Sequence, residues 1–585
     1  MAEQFRFSPR PNRAGAIRWR GWGAAAFQDA ARADRPVLLN LTAVWCPWCH
    51  RMDETTYSDP EVIELVNEML IPVRVDADRH PHVQDRYIAG GWPTNAFLTP
   101  GGEVLWAGTF VPPEQFRAVA QGVLAAWRGR RPELQAEIER RRKAMEAARA
   151  RRPALGLVRR MAADDVLTVM QEGFDARNGG FGGAPKFPHP DAVELLLVQA
   201  SRTGNPDWHE MAVRTLDGIL AGELWDTIDG GFFRYATAAD WTAPQFEKLL
   251  ETNAGLLRAY ALGAHLTGRP DWRATAERTV AWVEATLRLP GGLWGGSQAA
   301  DEEYFSLDAE ARRARGAPYV DPTVYVNANA HWIRALAEAG GRLGRADWIA
   351  RAAAAFDALL DAAAAPDGLL YHCVEPDGTR AVAGLLIDTL EAARAGLAVF
   401  QATGRPGVLE RVRALAAALE DRLWASDGGF VDHVPSSDDV GALRYRDRPF
   451  EPNAAAARFF NDLSLATGER SDRAVAERTL ALLSPLAGRY GVAAAEFALA
   501  VEEFFEPPLR IVVVGPADAA APLRGAALAL PEPARRVWSL ERGGRLDALK
   551  FPAQDAPAAF ACGARACSPP IPDPERLAEA VAAVR

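Results

Sequence analysis

The stretch Val44-Trp45-Cys46-Pro47-Trp48-Cys49-His50 follows directly on an apolar run, Pro36-Val37-Leu38-Leu39-Asn40-Leu41. This reads as a strand running into a helix start with two thiols at its mouth. The first thiol of such a turn faces the helix N-terminus, where partial positive charge favours thiolate, the attacking species in disulfide exchange. The second thiol sits one helical turn on, near enough to close a disulfide. Pro47 suits the first helical turn, where its missing N–H costs little. The competing reading is half of a zinc site. Zinc needs four ligands, and no second CxxC or HxxxH lies near, although His50, His80 and His82 do. No metal is therefore assigned. Cys46 is the expected attacking thiol and Cys49 the resolving one.

Further along, Gly90-Gly91-Trp92-Pro93-Thr94 precedes the apolar run Asn95-Ala96-Phe97-Leu98, the turn Pro100-Gly101-Gly102 and a short strand, Glu103-Val104-Leu105-Trp106. Leu70 to Asp76 reads as another strand, and Phe116 to Trp127 as a closing helix. A proline opening an antiparallel strand at this distance after a CxxC is where thioredoxin-like folds place a cis-proline beside the thiols. The Trp92–Pro93 bond is accordingly expected to be cis, with Trp92 and Pro93 shaping a substrate groove. The segment resembles a thioredoxin-like α/β domain, assigned to residues 1–128.

At 585 residues the chain is too long for one core, so several domains are expected. It is 49% hydrophobic and 24% charged, the usual mix of a folded protein. A formal net charge of −10 argues against general nucleic-acid binding. No apolar run is long enough to span a membrane, and Met1-Ala2-Glu3-Gln4-Phe5-Arg6 has no signal core. The expectation is a cytoplasmic protein with neither nucleic acid nor membrane as a partner and no cofactor. Disulfides there are transient and catalytic. Five cysteines are too few for a disulfide framework. Cys373 is expected to be a small apolar filler, and Cys562 and Cys567 to be reduced structural thiols.

Residues 129–155 carry dense mixed charge, from Arg128-Gly129-Arg130-Arg131-Pro132 through Glu137, Glu139, Arg140, Arg141, Arg142 and Lys143 to Arg151-Arg152-Pro153, and read as a solvated linker helix. Residues 156–506 carry an internal repeat. Five breakers, at Gly204, Gly268, Gly344, Gly404 and Gly468, lie 64, 76, 60 and 64 residues apart, each ending one helix before Pro, Asp or a polar residue opens the next. A second punctuation alternates with them: Asn178-Gly179-Gly180-Phe181, Asp229-Gly230-Gly231-Phe232, Gly291-Gly292-Leu293-Trp294, Asp367-Gly368-Leu369-Leu370 and Asp427-Gly428-Gly429-Phe430. Each unit is thus a helical hairpin with tight turns at one end and longer glycine-aromatic loops at the other. The helix before Phe174 and one near 490–503 supply a sixth pair. Six hairpins closed in a ring make an all-α (α/α)6 toroid. Residues 507–585, with apolar runs Arg510–Gly515, Val537–Leu540 and Ala558–Cys562 and a closing helix, read as a small α/β region.

In this order the pieces resemble the spermatogenesis-associated protein 20-like family. The resemblance covers nearly the whole chain and rests on Trp45–His50, Gly90–Pro93, Phe97–Pro100, the stretch Gly179-Gly180-Phe181-Gly182-Gly183-Ala184-Pro185-Lys186-Phe187-Pro188, Pro244-Gln245-Phe246-Glu247-Lys248-Leu249-Leu250 and the Cys562/Cys567 pair. It implies a thioredoxin-like domain joined to a six-hairpin, glycosidase- and sugar-epimerase-like toroid. The family's usual His after the first Cys is Pro47 here, and its usual His before Phe-Glu-Lys is Gln245.

Toroids of this kind hold their pocket where the long loops converge. Here those loops carry Phe181, Lys186, Phe187, Trp225, Asp229, Phe232, Arg234, Trp241, Glu247, Lys248, Trp294, Asp427, Phe430 and His433. Aromatic faces with carboxylates suit sugar rings. Phe181, Phe232, Trp294 and Phe430 are expected to ring one cavity with Glu247 and Asp229 as its acid/base groups and Lys186 and Trp241 as binding residues. Glycoside hydrolysis would draw its two carboxylates from Asp229, Glu247, Asp388 and Asp427. Epimerisation would draw bases from His189, His331, His372 and His433. The plainer alternative makes Asp-Gly-Gly-Phe turn chemistry with its Phe as a core plug, and Glu247–Lys248 a buried ion pair. The functional expectation is a thiol–disulfide protein with a redox protein partner and a toroid that takes a carbohydrate-like small molecule. The alternatives are a sugar-active hydrolase or epimerase with an accessory thioredoxin-like domain, and a non-catalytic scaffold.

Overall fold

The computed structural model describes residues 5–150, 156–546, 549–563 and 566–584. They divide into two compact units, one comprising residues 1–153, 299–301 and 432–447, the other the remainder. Arg151, Arg152 and Pro153 of the expected linker lie outside the described residues; before them Arg131–Ala150 is one helix, as its charge pattern predicts.

The first unit is built on a four-stranded sheet in the order Ile71–Asp76, Val37–Thr42, Thr94–Leu98, Val104–Gly108. The first pair is parallel and the others antiparallel. Every residue of Val37–Thr42 is buried because both faces are covered. Leu39 and Leu41 pack with Phe27 and Ala30, while Leu38, pointing the other way, packs with Met52, Tyr57 and Phe116. This is the thioredoxin-like domain read from the sequence, and the Trp92–Pro93 bond is cis.

In the second unit every tight turn falls where the breakers predict. Gly204, Gly268, Gly344, Gly404 and Gly468 are all left-handed helix caps, with φ between 67 and 80°. The inner helices are Pro190–Thr203, Leu250–Thr267, Val326–Leu343, Leu386–Thr403, Phe450–Thr467 and Ala495–Phe505, each packed on the next and the last on the first. The helix Met161–Glu172 packs on Ala495–Phe505 and completes the sixth pair, so the ring closes.

A second regularity locks the loops. Asn253, Asn329, Thr389 and Asn453 each lie fifteen residues before a left-handed glycine. Each side chain accepts the backbone N–H of the hydrophobic residue that closes the preceding glycine turn: Phe232 at 2.7 Å, Trp294 at 2.9 Å, Leu370 at 3.0 Å and Phe430 at 2.6 Å. The asparagines return a bond to that residue's carbonyl. The lock turns the loop's side chain inward, so Phe232 stacks on Tyr260 and Phe430 on Phe460, both at 5.3 Å. A buried backbone group cannot turn to water, which is why a side chain with matching donor and acceptor recurs here.

The C-terminal region contributes a three-stranded sheet in the order Arg535–Leu540, Leu509–Val514, Ala558–Cys562, closed by the helix Leu577–Val584. The expectation of reduced thiols at its end is corrected: Cys562 and Cys567 form a disulfide, with Cα atoms 4.0 Å apart. The chain folds back after the strand so that the two face each other across an antiparallel bridge. Cys373 is buried, as a filler would be.

Replacing Asn253 by Ala leaves the N–H and C=O of Phe232 buried without their partner. The expected loss is about 1–3 kcal/mol, read as a lower melting temperature of the toroid by calorimetry.

Candidate functional site

Two sites emerge, one in each unit. In the first, Cys46 is the N-cap of helix Pro47–Glu54, and its Sγ accepts the N–H of Cys49 at 3.1 Å. The two cysteines are joined in a disulfide, with Cα atoms 5.3 Å apart. The strand Thr94–Leu98 runs antiparallel to Val37–Thr42 with Thr94 opposite Leu41, so Pro93 enters at the sheet end from which the CxxC loop leaves. Trp92 meets Trp45 edge-on at 5.5 Å, and Trp45 in turn donates to Asp78 at 2.6 Å. Both cysteines are buried: Cys46 is 3% exposed and Cys49 2%. The N–H of Ala300 donates to the carbonyl of Trp45 at 3.3 Å, so residues 299–301 help cover the turn. The surface beside the disulfide is Trp48, half exposed and packed on Phe110 at 5.4 Å.

Below the disulfide, Asp53 of the same helix is fully buried and accepts two bonds from buried Arg74, at 2.8 and 2.9 Å. His50 stands near this pair, and burial holds its imidazole below the ordinary range.

The toroid site is a cavity of about 450 Å³ at the N-terminal ends of the inner helices. That size lies within the range of small-molecule sites. Phe187, His189, Arg234, Glu251, His331 and Glu451 line it, with Arg258, Arg334 and Arg394 at its floor. His331 faces Glu391 at 3.4 Å and Glu251 at 3.9 Å. His189 caps its helix in a left-handed conformation, φ 43°, and burial pushes its imidazole down to about 4.

The expected ring of aromatics is not the lining. Phe232, Trp294 and Phe430 are wholly buried by the loop locks, and Phe181 is 6% exposed against Phe174. Trp241 is buried and donates to the carbonyl of Asn178 at 3.0 Å. Lys186, also buried, pairs with Asp175 at 2.5 Å. Asp229 holds Arg312 at 2.8 Å and the Tyr304 hydroxyl at 3.2 Å, tying loops together away from the cavity lining. Asp388 pairs with His372 at 2.9 Å, both buried, and Asp427 with Arg448 at 2.8 Å. His433 belongs to the first unit, where Asp432 and Asp439 flank it.

Glu247 and Lys248 are both fully buried but do not pair. Neighbours in extended chain point to opposite sides, so Lys248 reaches Asp226 at 2.7 Å while Glu247 accepts from Arg234 at 2.6 Å. Glu247 thereby stands behind a cavity-lining arginine. His189 and His331 were legible among the histidines; Arg258, Arg334, Arg394, Glu251 and Glu451 were missed. A signal existed for the arginines, which lie ten residues before Gly268, Gly344 and Gly404.

A CxxC at the N-cap of a thioredoxin-like helix, followed in the same chain by a six-hairpin toroid, defines a two-module class of protein. Residues 10–146 match the Thioredox_DsbH family, a protein of unknown function, DUF255. Spermatogenesis-associated protein 20 of Mus musculus is 30% identical over 310 residues, covering 49% of this chain and 39% of that protein. The Homo sapiens protein of the same name is 29% identical with the same coverage. The chain is thus similar to spermatogenesis-associated protein 20, and the alignment takes in about two fifths of those relatives' length. Among solved structures, cellobiose 2-epimerase from Spirochaeta thermophila is similar, with a TM-score of 0.47 and 18% identity, covering 59% of this chain and 96% of that one.

His189 is neutral in the folded chain down to about pH 4, whereas in the unfolded chain it takes a proton near 6.5. The unfolded state binds more protons between those values, so its contribution to stability is complete above pH 6.5 and is lost as pH falls towards 4. Urea midpoints at pH 7 and pH 4.5 are expected to differ less in His189→Gln than in the parent.

Proposed function

We propose that the first unit carries out thiol–disulfide exchange with a protein partner in a reducing cytoplasm. The observation that carries this reading is the Cys46 sulfur at a helix N-cap, accepting a backbone N–H, with Cys49 one turn on. An N–H aimed at sulfur and the helix dipole both favour the thiolate over the thiol. In the reduced protein the Cys46 thiolate attacks one sulfur of the partner's disulfide, forming a mixed disulfide and releasing a partner thiolate. Cys49, deprotonated, then attacks the Cys46 sulfur, which closes the Cys46–Cys49 bond and releases the second partner thiolate. Two electrons pass from this chain to the partner, and an external dithiol returns them. The low exposure of both sulfurs makes approach of the partner past Trp48 part of the step.

A second reading concerns the toroid, favoured by the cavity that holds His189 and His331. Its polar walls and size suit a sugar-like polyol. A neutral His189 and a carboxylate-flanked His331 are the pair from which proton transfer at a sugar carbon, as in epimerisation, would be drawn. Glu247 is then a positioning residue that holds Arg234 at the cavity wall, and Asp229 supports the loops.

Cys46→Ser is expected to abolish exchange with a model disulfide, while Cys49→Ser traps the mixed disulfide, visible by mass spectrometry. Exchange that survives Cys46→Ser would sink the redox reading. For the toroid, a thermal-shift panel of monosaccharides, disaccharides and polyols is expected to yield a binder. Glu247→Gln keeps an acceptor for Arg234 but removes its charge, so binding of that sugar is expected to weaken by about tenfold, with the melting temperature within a few degrees. Unchanged affinity would release Glu247 from the site.

A further inference from the structure

The inner helices enclose a second cavity, of about 90 Å³, at the end of the ring opposite the loops, where residues 528–537 of the C-terminal region close it. Six arginines and three carboxylates line it. Three of the arginines are fully matched. Arg458 pairs with Glu194, Glu496 and Glu503; Arg394 with Glu391 and Glu496; and Arg536 with Asp462 and Glu503.

The other three are not. Arg334 reaches Glu338 at 2.9 Å and Arg342 reaches the same carboxylate at 3.4 Å, while Glu338 also serves Arg258 at 3.0 Å. Arg535 makes no ion pair among the described residues. It donates only to two backbone carbonyls, those of Glu532 at 2.8 Å and of Leu528, and its Nε and that of Arg342 are buried without an acceptor. One corner of the cavity thus sets three buried guanidiniums against one shared carboxylate. Burial, with the neighbouring guanidiniums, accordingly pushes Arg535 down to about 9 and holds Arg334 and Arg342 below the usual arginine range.

A buried cation without a counter-charge is costly, and proteins resolve the cost by pairing it. Guanidiniums are also the side chains whose fork of donors matches tetrahedral oxyanions. We propose that this cavity is a binding site for one phosphate-sized oxyanion, held by Arg342 and Arg535 with Arg334 behind them. The volume fits a single such ion and leaves no room for an attached sugar. The site is separate from the loop-end cavity and does not rest on what that cavity binds.

The test uses the full chain in phosphate-free buffer. Inorganic phosphate is expected to raise the melting temperature saturably by several degrees, and sodium chloride at matched ionic strength to leave it unmoved. Glucose 6-phosphate is the second arm: no response is expected, because the cavity leaves no room for the sugar, and a response equal to that of phosphate would overturn the assignment to this cavity. Arg535→Met is expected to lose the phosphate response by at least tenfold in affinity, and to melt no lower than the parent without phosphate, since it removes an unpaired buried charge. Should that variant fail to fold, crystals of the parent soaked in selenate decide the matter, with an anomalous peak expected between Arg342 and Arg535. Absence of any phosphate response, a chloride response of the same size, an Arg535→Met variant with undiminished affinity, or no selenate peak in the cavity would each overturn the proposal.

Discussion

Arg458 donates to Glu194 at 2.6 Å across 264 residues of chain, and that ion pair joins the last full inner helix of the toroid to the first. It belongs to a chain of pairs that runs round the axis. Glu194 also holds Arg258, Arg258 shares Glu338 with Arg334, Arg458 shares Glu496 with Arg394, and Arg394 pairs with Glu391, which faces His331 on the helix that carries Arg334. Charges removed from water stabilise a fold only when each finds its partners, and breaking one pair leaves another group uncompensated. Each helix must therefore keep its rotation and height so that its charge meets two neighbours. A ring filled only with apolar side chains would tolerate helices sliding along one another. This one does not.

The same lattice separates the two ends of the ring. Arg334 and Arg394 contribute to both cavities, so the guanidiniums form a polar partition between a wide chamber at the loop end and a narrow one under the C-terminal region. The loop end is free to carry long connections because each is pinned by one inward hydrogen-bonding side chain, Asn253, Asn329, Thr389 or Asn453, at the first turn of the next inner helix. Function-bearing loops of variable length are compatible with a rigid ring when one residue, just past the glycine turn, is fixed in this way.

The turns were legible because their chemistry is local. A left-handed glycine ends a helix whatever surrounds it, and the CxxC with its distant proline carries a fold by spacing alone. The lining of the cavity was not legible from residue type. Phe232 and Phe187 are both loop phenylalanines, yet one is a core plug and the other faces the cavity, and what decides between them is the Asn253 lock, a contact between segments. Glu247 and Lys248 look like a pair in the sequence and are sent apart by the pleat. Counting back from the turn glycines would have done better. Position ten is Glu194, Arg258, Arg334, Arg394 and Arg458 in five successive hairpins, a run of axis-facing charge that hydrophobic periodicity does not weigh.

The first unit applies the same rule with a single pair. Asp53 lies one helical turn beyond Cys49, on the face turned inward, and is fixed by Arg74 from strand Ile71–Asp76 and by the N–H of Ser8 at 3.1 Å. Arg74 is in turn packed under Phe7, 4.8 Å from the ring centre. Helix, strand and N-terminal segment thus meet on one buried carboxylate. Since the helix cannot rotate without breaking that bidentate bond, the N–H of Cys49 stays aimed at the Cys46 sulfur, and the dipole acts along a fixed direction. Thiolate stabilisation at an N-cap falls off quickly with misalignment because hydrogen bonds weaken with angle. The reactivity argued for Cys46 therefore depends on a charge pair that never touches sulfur.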